Sequence, residues 1–217
     1  MIRTRIKICG ITRQEDLETA VLHGADAIGF NAYDKSARYV GPEQAARLAR
    51  GLPPFVTAVA LFVNPTRDDV AAYLDAYPSY VLQFHGDEAA HDCEQFGNPY
   101  LKAARIGADG RVAGLALADY AQTHPQAQAL LLDADSELFG GAGKTFDWEQ
   151  VAADSLRRCV LAGGLTAENV GAGIAKFRPW GVDVASGVEK SKGIKDPGKI
   201  AAFCNAVRAI DRALAGE

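Results

Sequence analysis

The sequence predicts an α/β fold, a single-domain (β/α)8 TIM barrel with parallel strands over residues 1–217, and three observations lead there. Eight short runs rich in apolar and β-branched residues recur at 5–9, 25–30, 55–63, 80–85, 100–106, 129–133, 158–162 and 181–185. Helical patterns lie between and after them, so strand and helix alternate, which calls for crossover connections and a parallel sheet. The runs are apolar almost throughout, as in Thr57-Ala58-Val59-Ala60-Leu61-Phe62-Val63, the pattern of strands buried on both faces. Eight such units in a chain this short suit a closed barrel; an open doubly wound sheet is the alternative, because periodicity does not show closure.

In chain order, the helical patterns cover 14–23, 42–50, 67–77, 88–96, 111–123, 146–153, 166–176 and 197–213. Pro42 suits the first turn of the second helix, Thr66 and Asp68 the start of the third, and Thr166 with Glu168 the start of the seventh. The longest irregular stretch, 134–145, contains Gly140-Gly141-Ala142-Gly143. Its length and composition fit a lid over the active face, with Gly141, Gly143 and Lys144 as the lid residues, or else an ordinary surface loop.

Composition narrows the function classes. With 48% apolar and 23% charged residues, the chain has material for one sizeable core. A net charge of −4 and scattered Lys and Arg give no basic field for nucleic acid, so any anion must be held by local groups. Met1-Ile2-Arg3-Thr4-Arg5 leads straight into a strand without a signal peptide's apolar stretch, and no run approaches the roughly 20 residues that span a membrane. A cytoplasmic enzyme with no membrane partner is expected. Cys9, Cys93, Cys159 and Cys204 form no C-x-x-C pair and no Cys/His zinc spacing, so neither a disulfide scaffold nor a metal site is signalled.

The residues that carry chemistry sit at the carboxyl ends of the runs, the face where parallel α/β folds bind ligands. Cys9 closes the first strand and is a candidate general base if its thiol, ordinarily near pKa 8.5, is shifted toward neutrality; the other reading is a buried structural cysteine. Asp133 closes the sixth and is a candidate proton donor if burial keeps it protonated; a helix cap or ion pair is the other reading, and Asp135 competes for the role. Gly163-Gly164 and Ser186-Gly187 follow the seventh and eighth strands, where glycines let backbone N–H groups approach a phosphate. Either pair alone is equally a tight turn; the two together favour phosphate. His85 points to the same face as a site group or a satisfied structural histidine, and Arg38 is either a carboxylate partner or a solvated arginine. Gly143-Lys144-Thr145 looks like the end of a P-loop, but Leu138 stands where that motif needs glycine, and Lys144 reads as a lid cation or a solvated lysine.

Taken in order, Lys7-Ile8-Cys9-Gly10-Ile11-Thr12, Gly24-Ala25-Asp26-Ala27-Ile28-Gly29-Phe30, Lys35-Ser36-Ala37-Arg38-Tyr39, Leu82-Gln83-Phe84-His85-Gly86, Leu131-Leu132-Asp133, Gly140-Gly141-Ala142-Gly143-Lys144-Thr145-Phe146-Asp147-Trp148, Ala162-Gly163-Gly164-Leu165-Thr166-Ala167-Glu168-Asn169-Val170 and Val182-Asp183-Val184-Ala185-Ser186-Gly187-Val188-Glu189 resemble the phosphoribosylanthranilate isomerase family. The resemblance implies a (β/α)8 barrel of tryptophan biosynthesis that needs no cofactor or metal. Its reaction is an Amadori rearrangement of N-(5-phosphoribosyl)anthranilate to 1-(2-carboxyphenylamino)-1-deoxyribulose 5-phosphate. By that likeness Asp133 is the acid that protonates the ribose ring oxygen and Cys9 the base that removes the C2 proton. It also implies Arg38 at the anthranilate carboxylate, phosphate contacts from Gly163, Gly164, Ser186 and Gly187, and Asp183 and His85 as site-lining groups. The family includes monomers and homodimers. Ala32 and Asp34 depart from its pattern, which often has a bulkier apolar residue and a proline there. Competing readings are another phosphosugar barrel enzyme, such as an epimerase or an indole-glycerol-phosphate synthase, and a noncatalytic phosphometabolite-binding barrel.

Overall fold

The structure, a computed structural model, describes residues 3–134 and 159–216. Its strands are β1 (Arg5–Cys9), β2 (Ala27–Asn31), β3 (Thr57–Phe62), β4 (Val81–Phe84), β5 (Tyr100–Ile106), β6 (Ala129–Ala134), β7 (Cys159–Leu161) and β8 (Gly181–Val184). Each pairs in parallel with the next, and β8 returns to β1 through Arg5↔Gly181, Ile6↔Val182, Lys7↔Asp183 and Ile8↔Val184. That last ladder closes the barrel and removes the open-sheet alternative. The helices described around it are α1 (Gln14–Leu22), α2 (Pro42–Arg50), α3 (Arg67–Ala76), α4 (Ala90–Glu94), α5 (Leu117–Thr123), α6 (Val170–Phe177) and α7 (Pro197–Ala215).

Two-residue alternation decides which side chains meet which layer. On β1, Ile6 and Ile8 face outward, as do Ile28 and Phe30 on β2, Leu82 and Phe84 on β4, and Leu130 and Leu132 on β6; all join the continuous core beneath the helices with Leu17, Leu48, Val70, Phe203 and Val207. Each such side chain contributes about 1.5–3 kcal/mol on burial. The barrel interior has its own smaller apolar layer of Ala103, Ala129, Leu131, Val160 and Ala162. Toward the carboxyl ends the interior turns polar: Lys7, Gln83 and Asp183 are buried there, followed by Cys9, His85 and Asp133. Burying polar groups is costly unless they are partnered, so a layer of them at one end marks where the barrel's chemistry lies.

Local signals explain most boundaries. Thr66 and Asp69 form a reciprocal capping box at the start of α3, and Asp196 accepts from Lys199 N (3.0 Å) ahead of Pro197 in α7. Three helices begin later or are shorter than the sequence pattern suggests. The helix expected over 111–123 starts at Leu117, because Gly110, Ala113 and Gly114 have positive φ and fold Val112 back against Ile106 and Leu115. The helix expected over 88–96 is confined to Ala90–Glu94, since the Glu88 side chain is occupied inward: it accepts from Asn64 N (2.8 Å), Gly86 N (3.0 Å) and the fully buried Lys102 Nζ (3.0 Å). The seventh expected helix starts at Val170 rather than Thr166, because Asn169 accepts from Thr166 N (2.8 Å) and donates to Gly164 O (3.0 Å), holding that stretch as a loop. A short antiparallel pair, β9 (Glu189–Ser191) with β10 (Ile194–Lys195), follows β8 and has no counterpart in the expected pattern. The helix expected over 146–153 and the lid residues Gly141, Gly143 and Lys144 lie outside the described residues, as does Asp135.

Candidate active site

A cleft of about 330 Å³ opens at the carboxyl ends of the strands. It brings together Cys9 from β1, Arg38 from the loop after β2, His85 beyond β4, Asp133 on β6, Gly163 and Gly164 beyond β7, and Asp183 and Ser186 at and beyond β8. Gly187 is next to Ser186 and packs against the β7 loop instead: a Cβ there would stand 1.9 Å from the Leu165 carbonyl oxygen. Only a glycine lets the two loops approach this closely, so the expected phosphate loops form one continuous rim.

Asp133 is held on both oxygens. Oδ1 accepts from Ala134 N (2.8 Å) and Oδ2 lies 3.0 Å from His85 Nε2. Gly163, at φ +76°, leaves room for this: a Cβ would fall 2.7 Å from Asp133 Oδ1 and 2.8 Å from Ala134 N. The glycine that sequence reasoning assigned to phosphate therefore also makes space for the carboxyl group.

Behind His85, its Nδ1 lies 3.0 Å from Gln83 Nε2. An amide nitrogen can only donate, so Nδ1 is the acceptor in this arrangement, and His85 carries its proton on Nε2 and donates to the Asp133 carboxylate. Gln83 Oε1 is buried and has no hydrogen-bond partner among the described residues. Rotating the amide would offer that oxygen to a protonated Nδ1; Nε2 would then accept from a protonated Asp133. The chain Gln83–His85–Asp133 thus accommodates either state of the acid with the same number of bonds.

Cys9 is 5% exposed at the cleft floor. Burial is the largest influence on its thiol and leaves the pKa above its ordinary value; Lys7 and Lys195 pull it down and Asp183 pushes it up. Burial thus opposes, and the two lysines favour, the thiolate that the sequence reading asks of Cys9. Lys7, two residues earlier on the same face of β1, donates to Asp183 Oδ1 at 2.9 Å. Burial works against its charge, yet Asp183 and Cys9 carry its pKa above the ordinary lysine value.

Arg38 is engaged in a bidentate pair with Glu189, Nε to Oε1 at 2.7 Å and Nη2 to Oε2 at 2.8 Å. Lys195 Nζ adds a second cation to Glu189 Oε1 at 3.0 Å. Burial opposes ionisation of Glu189, but Arg38 and Lys195 hold its carboxyl below the usual range; burial in turn lowers the pKa of Lys195. The stem of Arg38 crosses Gly10, φ +72°, where a Cβ would lie 2.5 Å from Arg38 Cδ. The loop carrying it is braced from within: Asn31 accepts from Tyr33 N (2.8 Å) and donates to Ser36 Oγ (3.1 Å), which accepts from Arg38 N (3.1 Å). Side-chain bridging from Asn31 gives order to the stretch where Ala32 and Asp34 depart from the resembled pattern.

Sequence reasoning passed over Lys7, Gln83, Glu189 and Lys195. Lys7 and Gln83 each stand two positions before a singled-out residue, so strand alternation could have found them; Glu189 and Lys195 belong to the unanticipated β9–β10 pair and carried no such signal.

The chain matches the profile of the family described as N-(5'-phosphoribosyl)anthranilate isomerase over residues 6–206. It is 52% identical to the N-(5'-phosphoribosyl)anthranilate isomerase of Dechloromonas aromatica (strain RCB) across 98% of this chain and 100% of that one. Among solved structures, the phosphoribosyl anthranilate isomerase of Thermus thermophilus superposes with a TM-score of 0.82 at 34% identity, covering 95% of this chain and 100% of that one. A phosphoribosyl anthranilate isomerase in complex with reduced 1-(o-carboxyphenylamino)-1-deoxyribulose 5-phosphate superposes with a TM-score of 0.78 at 34% identity, covering 95% and 99%.

Proposed function

The chain belongs to the N-(5'-phosphoribosyl)anthranilate isomerase family, and from that premise we propose how its own residues carry out the Amadori rearrangement. It is an isomerase of tryptophan biosynthesis, converting N-(5'-phosphoribosyl)anthranilate to 1-(2-carboxyphenylamino)-1-deoxyribulose 5-phosphate. Asp133, in its protonated form, delivers a proton to the ribose ring oxygen; the C1–O bond breaks and the anilino nitrogen's lone pair forms the C1=N bond of a Schiff base. The Cys9 thiolate then takes the C2 proton, and the C2–H electron pair moves into the C1–C2 bond as the iminium accepts the C=N pair, giving an enolamine. Ketonisation adds a proton at C1 and releases one from the C2 hydroxyl, so the product is an isomer of the substrate.

The remaining groups hold the substrate between these two. Backbone amides of the Gly163-Gly164 and Ser186-Gly187 rim take the phosphate, Arg38 takes the anthranilate carboxylate by sharing its charge between that group and Glu189, and Asp183 and His85 line the sugar. The working unit is one catalytic domain over residues 1–217, acting in the cytoplasm without cofactor, metal or nucleic acid, as a monomer or homodimer. Among the described residues no helix is long and apolar enough to cross a membrane.

The observation that carries this reading is the shared cleft: Cys9 and Asp133, on β1 and β6, line one cavity of about 330 Å³ whose rim is formed by the β7 and β8 loops. Opposed proton transfers need an acid and a base on different sides of the reacting sugar. Fluorescence-monitored turnover of freshly generated phosphoribosylanthranilate, with chelator present, tests it. Rapid conversion by wild type and a large loss in Cys9→Ser are expected; a folded wild type that converts nothing would leave a noncatalytic phosphate-binding barrel as the better reading.

A further inference from the structure

Lys7 has no part in the reaction as described, yet its position is hard to explain as scaffolding. Residues 7 and 9 share the interior face of β1, and the ladders place Lys7 opposite Asp183 on β8 and Cys9 opposite Gly29 on β2. A Cβ on Gly29 would meet Cys9 Sγ at 2.8 Å and Lys7 Nζ at 3.1 Å. The sulfur and the ammonium therefore converge over the same glycine, no farther apart than the sum of those two distances, about 5.9 Å. Asp183 Oδ1 fixes the ammonium at 2.9 Å from the other side, in a pair whose side chains are 6% and 9% exposed.

We propose that Lys7, anchored by Asp183, is a positioning residue of the base: its ammonium is the counter-ion that stabilises the thiolate form of Cys9, the form that takes the C2 proton. The inference rests on Cys9 being the base of the isomerisation. A thiolate is the form that accepts the C2 proton, and an apolar, enclosed site disfavours it unless a cation stands nearby. Lys7 keeps its own proton throughout; the C2 proton moves to sulfur and the pair becomes thiol and ammonium. Asp183 then serves the reaction by aiming Lys7, which explains a buried carboxylate whose Oδ1 is already engaged.

Other charges reach the same spot. From β10, Lys195 also favours the thiolate, and from β8, Asp183 opposes it. Arg38, from the loop after β2, interacts with Cys9 as well. Lys35, His85, Asp133 and Lys192 line the wider cleft. The strands beside Cys9 and Lys7 on the β2–β3 side present Gly29, Asn31, Leu61 and Val63, none of them charged. Two cations, Arg5 and Lys7, stand on Cys9's own strand and face; Lys7 is the nearer along the strand, and after burial it has the largest influence on the thiol.

The test is the pH dependence of Cys9 alkylation by iodoacetamide, read by peptide mapping, alongside the pH profile of kcat. Lys7→Met is expected to raise the alkylation midpoint by at least about one pH unit, cutting the thiolate fraction about tenfold near neutrality, and to lower kcat in parallel while KM changes less than about threefold. Because Lys7→Met leaves Asp183 buried without its partner, Lys7→Met/Asp183→Asn removes both charges; its midpoint is expected between those of wild type and Lys7→Met if the double variant folds. An unchanged midpoint in either folded variant, with kcat lowered, would overturn the proposal and leave Lys7 a structural residue. The alkylation arm needs no turnover, so a wild type that fails to convert phosphoribosylanthranilate would count against the isomerase mechanism while the Lys7–Cys9 coupling is still read.

Discussion

Gly29→Ala perturbs the catalytic base through a single methyl group. The position lies in the middle of β2, and its backbone is outside the left-handed region, so alanine brings no conformational strain of its own. The added carbon would stand 2.8 Å from Cys9 Sγ, 3.1 Å from Cys9 Cα and 3.1 Å from Lys7 Nζ. Ordinary contact begins near 3.4 Å, so the sulfur must retreat by at least about 0.6 Å, and Cα, part of the β1–β2 ladder, has little freedom to share the movement. Overpacking of this kind costs about 1–3 kcal/mol of stability. Displacing a reacting group by a substantial fraction of an ångström costs up to about 10²-fold in rate. The expected outcome is a folded protein whose Tm falls by a few degrees and whose kcat falls tenfold to a hundredfold with KM nearly unchanged. Gly171→Ala, in α6 with nothing within 4 Å of the new carbon, is the matched control and should gain about 0.5–1 kcal/mol with unaltered kinetics. Urea unfolding and steady-state kinetics read both. A folded Gly29→Ala enzyme with kcat within threefold of wild type would refute the reasoning that Cys9 is confined between β2 and the sugar.

Three further outcomes follow from buried polar groups. Gln83→Leu removes the partner of His85 Nδ1 and should lower kcat about tenfold, with the His85 tautomer seen by nitrogen NMR no longer fixed with its proton on Nε2; unaltered kinetics would dismiss the hydrogen-bond chain. Tyr80→Phe deletes a buried hydroxyl that has no partner among the described residues, so it should be neutral or stabilising by about 1 kcal/mol in urea unfolding, whereas a loss above about 1 kcal/mol would reveal a bond. Burial lowers the pKa of His124, whose Nε2 lies 3.1 Å from Glu88 O. The unfolded chain then binds that proton first, so stability is full above about pH 6.5 and declines as pH falls from there toward the folded value; His124→Gln should flatten the decline between urea titrations at about pH 7.5 and 5.5.

The barrel was legible because burial on both faces leaves a signal that needs no partner: eight apolar runs, each broken by a helical pattern. Boundaries were lost where a side chain did something nonlocal. Glu88 sits in what reads as a helix start, but it reaches inward to Lys102; Asn169 sits in another, but it bridges back to Gly164. Site residues at or just past strand ends, Cys9, His85 and Asp133, could be named because strand register puts them on one face; Asp183 was named through the family resemblance. Their partners were harder to see. Gln83 and Lys7 look like ordinary strand residues until the closed barrel leaves them no solvent. The commitment of Arg38 to Glu189 joins positions 151 residues apart, and nothing local encodes it.

The most direct test of the acid–base pair is the kinetics of Cys9→Ser, Asp133→Asn and the double variant on phosphoribosylanthranilate, with folding checked by circular dichroism. Each single substitution is expected to lower kcat by about 10²–10⁴-fold, and the double variant to fall little below the weaker single one, because either loss alone already stops the sequence of proton transfers. A folded single variant that keeps kcat within tenfold of wild type would contradict the assignment of that residue and, with it, the two-residue account of the reaction.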